Sequence, residues 1–193
     1  MAEIIAGIDV GTTKICALIA EVRNDDEGEE ALHLIGVGCV PSRGLSKGMV
    51  VNVAQASESI AMAVEEAELA AGLPIRSAYV GVSGKHISTI SNRGVVAVSR
   101  SSQGITRYDV ERVLEAARST ISLPHNREII HTIPRRFTVD EQTGVRDPVG
   151  MHGYRLEVEA QIVLGARSAI TNLIKCVRAY DVQVEDLVLE PLA

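Results

Sequence analysis

The sequence predicts an α/β protein built from two modules. Aliphatic stretches with strand-like spacing alternate with amphipathic helical patterns along the chain. The 193 residues, 46% of them hydrophobic, suffice for one ordinary domain or two small ones with a real core. Eleven basic and nine acidic residues lie between Gly84 and Gly165, against eight basic and sixteen acidic residues elsewhere. This contrast predicts two modules with different surfaces.

Three strands open the chain. Residues 3–10 and 14–22 are mostly aliphatic and only three residues separate them, which predicts an antiparallel hairpin. A third strand is predicted at Ala31–Val40, after the acidic stretch EVRNDDEGEE, which is typical of a solvated loop.

A helix and a fourth strand follow. Asn52 can cap the helix, with Gln55 three positions further on, and Gly72 ends it. A buried strand is predicted at Ser77–Gly84, and the helix is then the crossover to a position parallel to the first strand. The apolar stripe of this helix consists of Val53, Ala56, Ile60, Val64 and Ala67.

The middle of the chain predicts a compact subdomain. A short strand pair is expected around HISTI and GVVAVS, followed by a helix that Thr106 and Asp109 open with capping-box spacing. Long strands are predicted at residues 127–140 and 154–165, joined by a loop that contains Gly and Pro. A strand, a helix and two strands are enough for about 80 residues with the helix on one sheet face.

The last segment returns to the first architecture. Ser168 is predicted to cap a helix, and a strand follows at residues 182–190. The closing residues EPLA favour the start of a further helix, since Pro is common in a first helical turn. A chain that stops there is expected to be part of something longer.

Composition excludes several classes of partner. The net charge of −6 and the lack of Trp oppose nucleic-acid binding, because phosphates repel acidic surfaces and bases stack on aromatic rings. The longest apolar runs are shorter than the roughly 20 residues of a membrane span, and no signal peptide is recognisable. A cytoplasmic protein is therefore expected.

The cysteines do not predict a metal site. Cys16, Cys39 and Cys176 are widely separated, and none has a partner at metal-ligand spacing. We expect three small core residues with free thiols in a reducing compartment. The five histidines are similarly scattered, so direct metal ligands are not predicted.

The turn in GIDVGTTKI carries the candidate chemistry. Backbone N–H groups and hydroxyls of Gly11, Thr12 and Thr13 can converge on phosphate oxygens, and Lys14 can add a positive charge. Asp9 ends an apolar strand, where a carboxylate needs a partner such as hydrated magnesium. An ordinary polar hairpin turn is the alternative. Two consecutive threonines are poor hairpin-turn residues, which favours the phosphate interpretation.

Two distant motifs resemble one superfamily. GIDVGTT is similar to the first phosphate loop of the actin, DnaK-type chaperone and sugar-kinase superfamily, and LVLEPLA to its strand-to-helix step. The resemblance implies that ATP is bound with Mg²⁺, which Asp9 and Glu190 would flank through water. Gly11, Thr12, Thr13 and Lys14 would then hold the phosphates. No catalytic residue and no direct metal ligand is assigned.

Within that superfamily, the chain resembles the FtsA family of bacterial cell-division proteins. The similar stretches are IGVGCVPSRGLSKGMVVN, AYVGVSGKHI, NRGVVAVS, IPRRFTVD and RLEVEAQIV, which together span essentially the whole chain. The implied fold is an actin-like (ribonuclease H-like) subdomain IA, formed by residues 1–83 and 166–193. An inserted strand-helix-strand-strand subdomain, IC, would occupy residues 84–165.

The resemblance also implies a cellular role. Proteins of this family are ATP-binding scaffolds that polymerise on the inner face of the cell membrane at the division septum. They anchor the FtsZ ring and recruit later divisome proteins, the latter through the region that matches residues 84–165. The surface that binds FtsZ, the membrane-binding helix and the second phosphate loop lie in a second half that this sequence does not include. At most a weak ATPase activity is implied.

Two alternatives share the opening loop. One is an actin-like protein of pilus assembly, which has a similar insert and would bind a short peptide of a membrane partner. The other is a small-molecule kinase, which needs a catalytic acid near a substrate cleft. The middle segment offers only Asp140 and Asp147, in a turn-rich loop where acids are common.

Overall fold

A computed structural model describes residues 3–24, 29–98 and 104–190. These residues divide into two compact units. The first unit combines the chain up to His86 with the chain from Ala166 onward, and the second runs from Ile87 to Gly165.

The first unit contains a five-stranded sheet in the order β11-β6-β1-β2-β3. Strands β1, β2 and β3 are antiparallel neighbours, as the hairpin pattern predicts. Strand β6 is parallel to β1 and to β11, which confirms the crossover. The bounds are Glu3–Val10 for β1, Lys14–Asn24 for β2, Glu30–Pro41 for β3, Ser77–Val82 for β6 and Gln183–Leu189 for β11.

Helix α1, Val53–Ala71, is the crossover between β3 and β6 and packs against β2 and β3. The Asn52 side chain accepts a hydrogen bond from the Gln55 N–H at 3.1 Å, and Gly72 ends the helix with φ of 69°. The sequence predicts both ends of the helix correctly, because a helix cap forms between residues only a few positions apart in the chain. The apolar face of α1 is buried against the sheet.

Helix α3, Arg167–Arg178, contacts α1 and β11. The predicted cap at Ser168 is wrong: Ala166 occupies the cap position and no side chain caps the helix. Strand β10, Arg155–Ala166, runs directly into α3, so no loop residue is left to serve as a cap. The helix predicted to begin at Pro191 lies outside the described residues.

The first unit also contains a short hairpin that the sequence does not predict. Strands β4, Leu45–Ser46, and β5, Met49–Val50, pair antiparallel around the two residues Lys47 and Gly48. Both turn residues have positive φ, 53° and 77°, which suits a two-residue hairpin turn. Two-residue strands leave no periodicity for sequence analysis to detect.

The second unit contains a four-stranded sheet in the order β7-β10-β8-β9, with helix α2 contacting β7 and β8. The expected strand pair is wrong, because β7 is a single strand paired continuously with β10. Strand β9 is an unpredicted addition to the strand-helix-strand-strand order and forms a hairpin with β8. The bounds are Ser88–Ala97 for β7, Arg107–Ser119 for α2, Arg127–Val139 for β8 and Gln142–Val145 for β9.

The start of α2 is fixed by the predicted capping box. Thr106 Oγ1 donates to Asp109 Oδ2 at 2.7 Å, and the Thr106 N–H donates to the same oxygen at 3.0 Å. The Thr106 hydroxyl, the Thr106 N–H and the Arg112 guanidinium together hold the pKa of Asp109 below its ordinary value of 3.8, against the opposing effect of burial. The ionised carboxylate therefore stabilises the folded state.

Replacing Asp109 by Asn is expected to lower the free energy of unfolding at pH 7 by about 1 kcal/mol, because the cap and its charge are lost. Since the folded-state pKa is depressed, this contribution is present above the unfolded-state pKa. It is lost as the pH falls through the folded-state value, so the free energies of unfolding of the two proteins should begin to converge as the pH falls below about 4. Urea unfolding at several pH values measures the difference. Glu111→Gln, at an exposed position of α2, is the control. A difference in the free energy of unfolding that stays constant down to about pH 3 would contradict the stabilising role of the ionised Asp109 carboxylate.

The cysteine prediction is partly wrong. Cys16 on β2 and Cys39 on β3 are register partners with Cα atoms 4.2 Å apart, and they form a disulfide. Composition and spacing predicted free thiols because neither reveals which residues face each other across two strands. Cys176 is free and buried, as expected.

Candidate functional site

Three parallel strands bring their carboxyl ends to one edge of the sheet in the first unit. Asp9 on β1 is the register partner of Gly81 on β6, and Gly81 is in turn the partner of Val188 on β11. Glu190 follows the last residue of β11. Asp9 and Glu190 line one cavity of about 450 Å³, together with Gly7, Ile8, Leu18, Tyr79, Gly81 and Val188.

Asp9 has an unsatisfied carboxylate oxygen. Its Oδ1 atom is buried and has no hydrogen-bond partner among the described residues. A buried carboxylate oxygen without a partner is costly, and such atoms in folded proteins call for an explanation. A cation, or water held by a cation, would satisfy it. The residues therefore fit the hydrated Mg²⁺ that the sequence implies.

Glu190 is held from one side. Ser83, one residue beyond β6, donates from Oγ to Glu190 Oε1 at 2.6 Å. A hydrogen bond to a charged acceptor is short and strong, and it fixes the orientation of the carboxylate. The other oxygen, Oε2, is not used by this bond.

The turn from Gly11 to Lys14 connects β1 to β2 at the same end of β1 as Asp9. A Cβ atom on Gly11 would lie 2.8 Å from the Lys14 carbonyl oxygen, so this backbone has no room for a side chain. Thr12, Thr13 and Lys14 are exposed. They do not belong to the lining of the Asp9–Glu190 cavity.

Other residues tie the turn in place. Thr12 Oγ1 accepts a hydrogen bond from the Gly48 N–H at 3.3 Å, and the Thr13 carbonyl accepts one from the Ser42 N–H at 3.0 Å. Neither Ser83 nor Gly48 is among the site residues that the sequence predicts. A polar residue directly after a buried strand, as in VGVSGK, was the available signal for Ser83.

Asp140 and Asp147, the two acidic residues considered for a kinase, bind backbone N–H groups of the second unit. Asp140 Oδ1 accepts hydrogen bonds from the N–H groups of Tyr154 and Arg155, at 3.0 and 2.9 Å. Asp147 Oδ1 accepts one from the Val149 N–H at 3.0 Å. Both carboxylates therefore stabilise the loop in which they lie.

Within residues 3–24, 29–98 and 104–190, no group of three or more His, Cys, Asp or Glu side chains could hold a metal ion directly. No helix in those ranges is long and apolar enough to span a membrane.

A protein-family model and a solved structure match this chain in agreement with its fold. The family described as "SHS2 domain inserted in FTSA" matches residues 84–164. The solved structure titled "PilM-PilN type IV pilus biogenesis complex" is similar over 97% of this chain and 47% of that chain, with a TM-score of 0.57 and 16% identity. At that identity the likeness concerns the fold alone, which is the actin-like fold of the prediction.

Curated relatives match nearly the whole chain. The chain is 41% identical to "Cell division protein FtsA" of Pseudomonas aeruginosa over 191 residues, which cover 99% of this chain and 44% of that protein. It is 39% identical to the protein of the same name from Bacillus subtilis, covering 99% of this chain and 42% of that protein. The chain thus spans less than half the length of these relatives, and together these matches support an FtsA fragment with the actin-like fold.

Proposed function

We propose that the carboxyl edge of the first sheet is one wall of a nucleotide site that binds ATP with Mg²⁺. The observation that carries the proposal is the buried, unsatisfied Oδ1 of Asp9, which lines the same cavity as Glu190. Ligands commonly bind outside the carboxyl ends of parallel strands, and Mg²⁺ usually keeps several waters while touching few carboxylates.

Each residue has a role that suits its chemistry. Asp9 and Glu190 accept hydrogen bonds from the water around the ion. The N–H groups of the turn at Gly11, with the hydroxyls of Thr12 and Thr13, donate to phosphate oxygens, and Lys14 adds a point charge. The Mg²⁺ ion, when bound, offsets the negative charge of the phosphates. We assign no catalytic acid or base, which is in keeping with at most a weak ATPase.

The proposed cellular role follows from the similarity to cell-division proteins. The protein acts as a scaffold that polymerises at the inner membrane of the division septum and anchors the FtsZ ring. Residues 84–165 recruit later divisome proteins. Contacts with FtsZ and with the membrane are assigned to regions that this sequence does not include. The name shared by the relatives, cell division protein, supports this role.

The alternatives have less support. The pilus-assembly alternative rests on a likeness at 16% identity, whereas the cell-division relatives reach 41%. The kinase alternative needs a catalytic acid in the middle segment, and the carboxylates of Asp140 and Asp147 are engaged by backbone N–H groups.

Replacing both Thr12 and Thr13 by leucine is expected to weaken ATP binding by about 10- to 100-fold. The substitutions remove two hydroxyl groups that donate hydrogen bonds to the phosphates and add larger apolar side chains in their place. A fluorescent ATP analogue titrated with Mg²⁺ into the full-length gene product measures the affinity. The matched control is Thr143→Leu, at an exposed position of β9. Equal affinities for the wild type and the double variant would remove the phosphate role from this turn.

A further inference from the structure

Two glycines bring the β4–β5 hairpin against the end of β6. A Cβ atom on Gly48 would lie 2.3 Å from the Ser83 carbonyl oxygen and 2.7 Å from the Gly84 Cα. A Cβ atom on Gly84 would lie 2.6 Å from the Lys47 carbonyl oxygen. Real Cβ atoms do not approach backbone this closely, so both positions need glycine for this contact. The φ angles of 77° at Gly48 and 117° at Gly84 favour the same residue.

This contact joins the two parts of the proposed site. On one side, the Gly48 N–H donates to Thr12 Oγ1 in the phosphate turn. On the other side, Ser83 donates to Glu190 Oε1. Residues separated by 36 and by 107 positions in the chain are thereby connected through the hairpin tip.

The donors and acceptors of the Thr12 and Ser83 hydroxyls determine the role of each contact. A threonine hydroxyl has one O–H donor and two acceptor lone pairs. Because the Gly48 N–H occupies a lone pair of Thr12, the Thr12 O–H remains a donor that can turn toward a phosphate oxygen. Ser83 uses its own donor on Oε1 of Glu190, which leaves Oε2 to accept from water around a cation.

We propose that Ser83 is a positioning residue of the nucleotide site and that the Lys47–Gly48 tip aligns it with the phosphate turn. This inference rests on the proposed function. Ser83 acts through Glu190, whose carboxylate it orients, and Gly48 acts through Thr12. Neither residue is required to touch the nucleotide.

The test separates magnesium dependence from overall affinity. Ser83→Ala is expected to weaken ATP binding about tenfold at saturating Mg²⁺, the effect of losing a hydrogen bond to a charged group. In the presence of EDTA, its affinity should equal that of the wild type, since Glu190 acts through the ion. Ser83→Thr keeps the hydroxyl and should restore magnesium-dependent affinity. The control is Ser91→Ala, at an exposed position of β7.

A purely structural role for Ser83 gives a different result. It would lower affinity equally with Mg²⁺ and with EDTA, and that outcome would overturn the inference. No loss in Ser83→Ala at saturating Mg²⁺ would overturn it as well. Both titrations use the full-length gene product with the same fluorescent ATP analogue.

A second measurement needs no nucleotide, so it distinguishes failure of this inference from failure of the proposed function. The ¹³C chemical shift of the Glu190 side-chain carboxylate should move in Ser83→Ala and return toward the wild-type value in Ser83→Thr. If the wild type does not bind ATP but the shift behaves in this way, the proposed function fails while Ser83 still orients Glu190. An unmoved shift in Ser83→Ala would contradict the positioning role directly.

Discussion

Replacing Gly38 by valine is expected to prevent stable folding of the first unit. Gly38 lies on β3 beneath α1, and a Cβ atom there would stand 2.1 Å from the Ala63 carbonyl oxygen and 2.7 Å from the Ala67 N. Both atoms belong to helix backbone, which cannot rotate away as the tip of a side chain can. The helix must move as a whole, and α1 covers a large part of the buried core of this unit.

The expected loss is at least about 3 kcal/mol, the upper range for added volume in a packed core. Such a loss is a large part of the stability of an ordinary domain. Urea unfolding followed by circular dichroism measures it. Gly7→Ala is the control, because a Cβ on Gly7 has its nearest neighbour, the Tyr79 carbonyl oxygen, at an ordinary 4.0 Å. An unchanged midpoint for Gly38→Val would show that α1 does not pack closely on β3.

Replacing Asp9 by asparagine is expected to abolish magnesium-dependent ATP binding, with a loss of about 100-fold or more, as when a charged partner of a buried group is removed. Asparagine has nearly the same shape but carries no charge, so it cannot compensate a cation. The fold should persist. Stability should be equal or higher, because a buried carboxylate oxygen without a partner is unfavourable when no ion is present.

The combination of lost binding and retained stability distinguishes a functional acid from a structural one. Thermal unfolding without nucleotide gives the stability, and titration with a fluorescent ATP analogue gives the affinity. Asp186→Asn, at an exposed position of β11, is the control. A clear drop in stability for Asp9→Asn would mean that the carboxylate is needed by the fold, which would contradict the assignment.

The sequence predicts those features that depend on residues close together in the chain. The caps at Asn52 and Thr106 depend on partners three residues away, and both were predicted correctly. Ser168 has the right residue type for a cap, but the preceding strand continues to Ala166 and takes the cap position. The short strands β4, β5 and β9 have two to four residues each, too few for a periodic pattern.

The same distinction applies to the candidate site. The sequence predicts Asp9 and the turn after it because a polar run interrupts an aliphatic hairpin. It does not predict Ser83 and Gly48, because their contacts with Glu190 and Thr12 exist only after distant segments have packed together. The Cys16–Cys39 pair has the same origin, since the register of β2 and β3 decides it.

We propose that Asp9, the turn at Gly11–Lys14 and Glu190 surround one magnesium–nucleotide site. Paramagnetic relaxation by Mn²⁺ in place of Mg²⁺ tests it most directly, because broadening of amide signals reports distance from the ion. With ATP present, we expect the signals of Asp9, the turn and Glu190 to broaden first in the full-length gene product. Excess Mg²⁺ should restore them. Broadening confined to other regions, with these signals unchanged, would contradict the account.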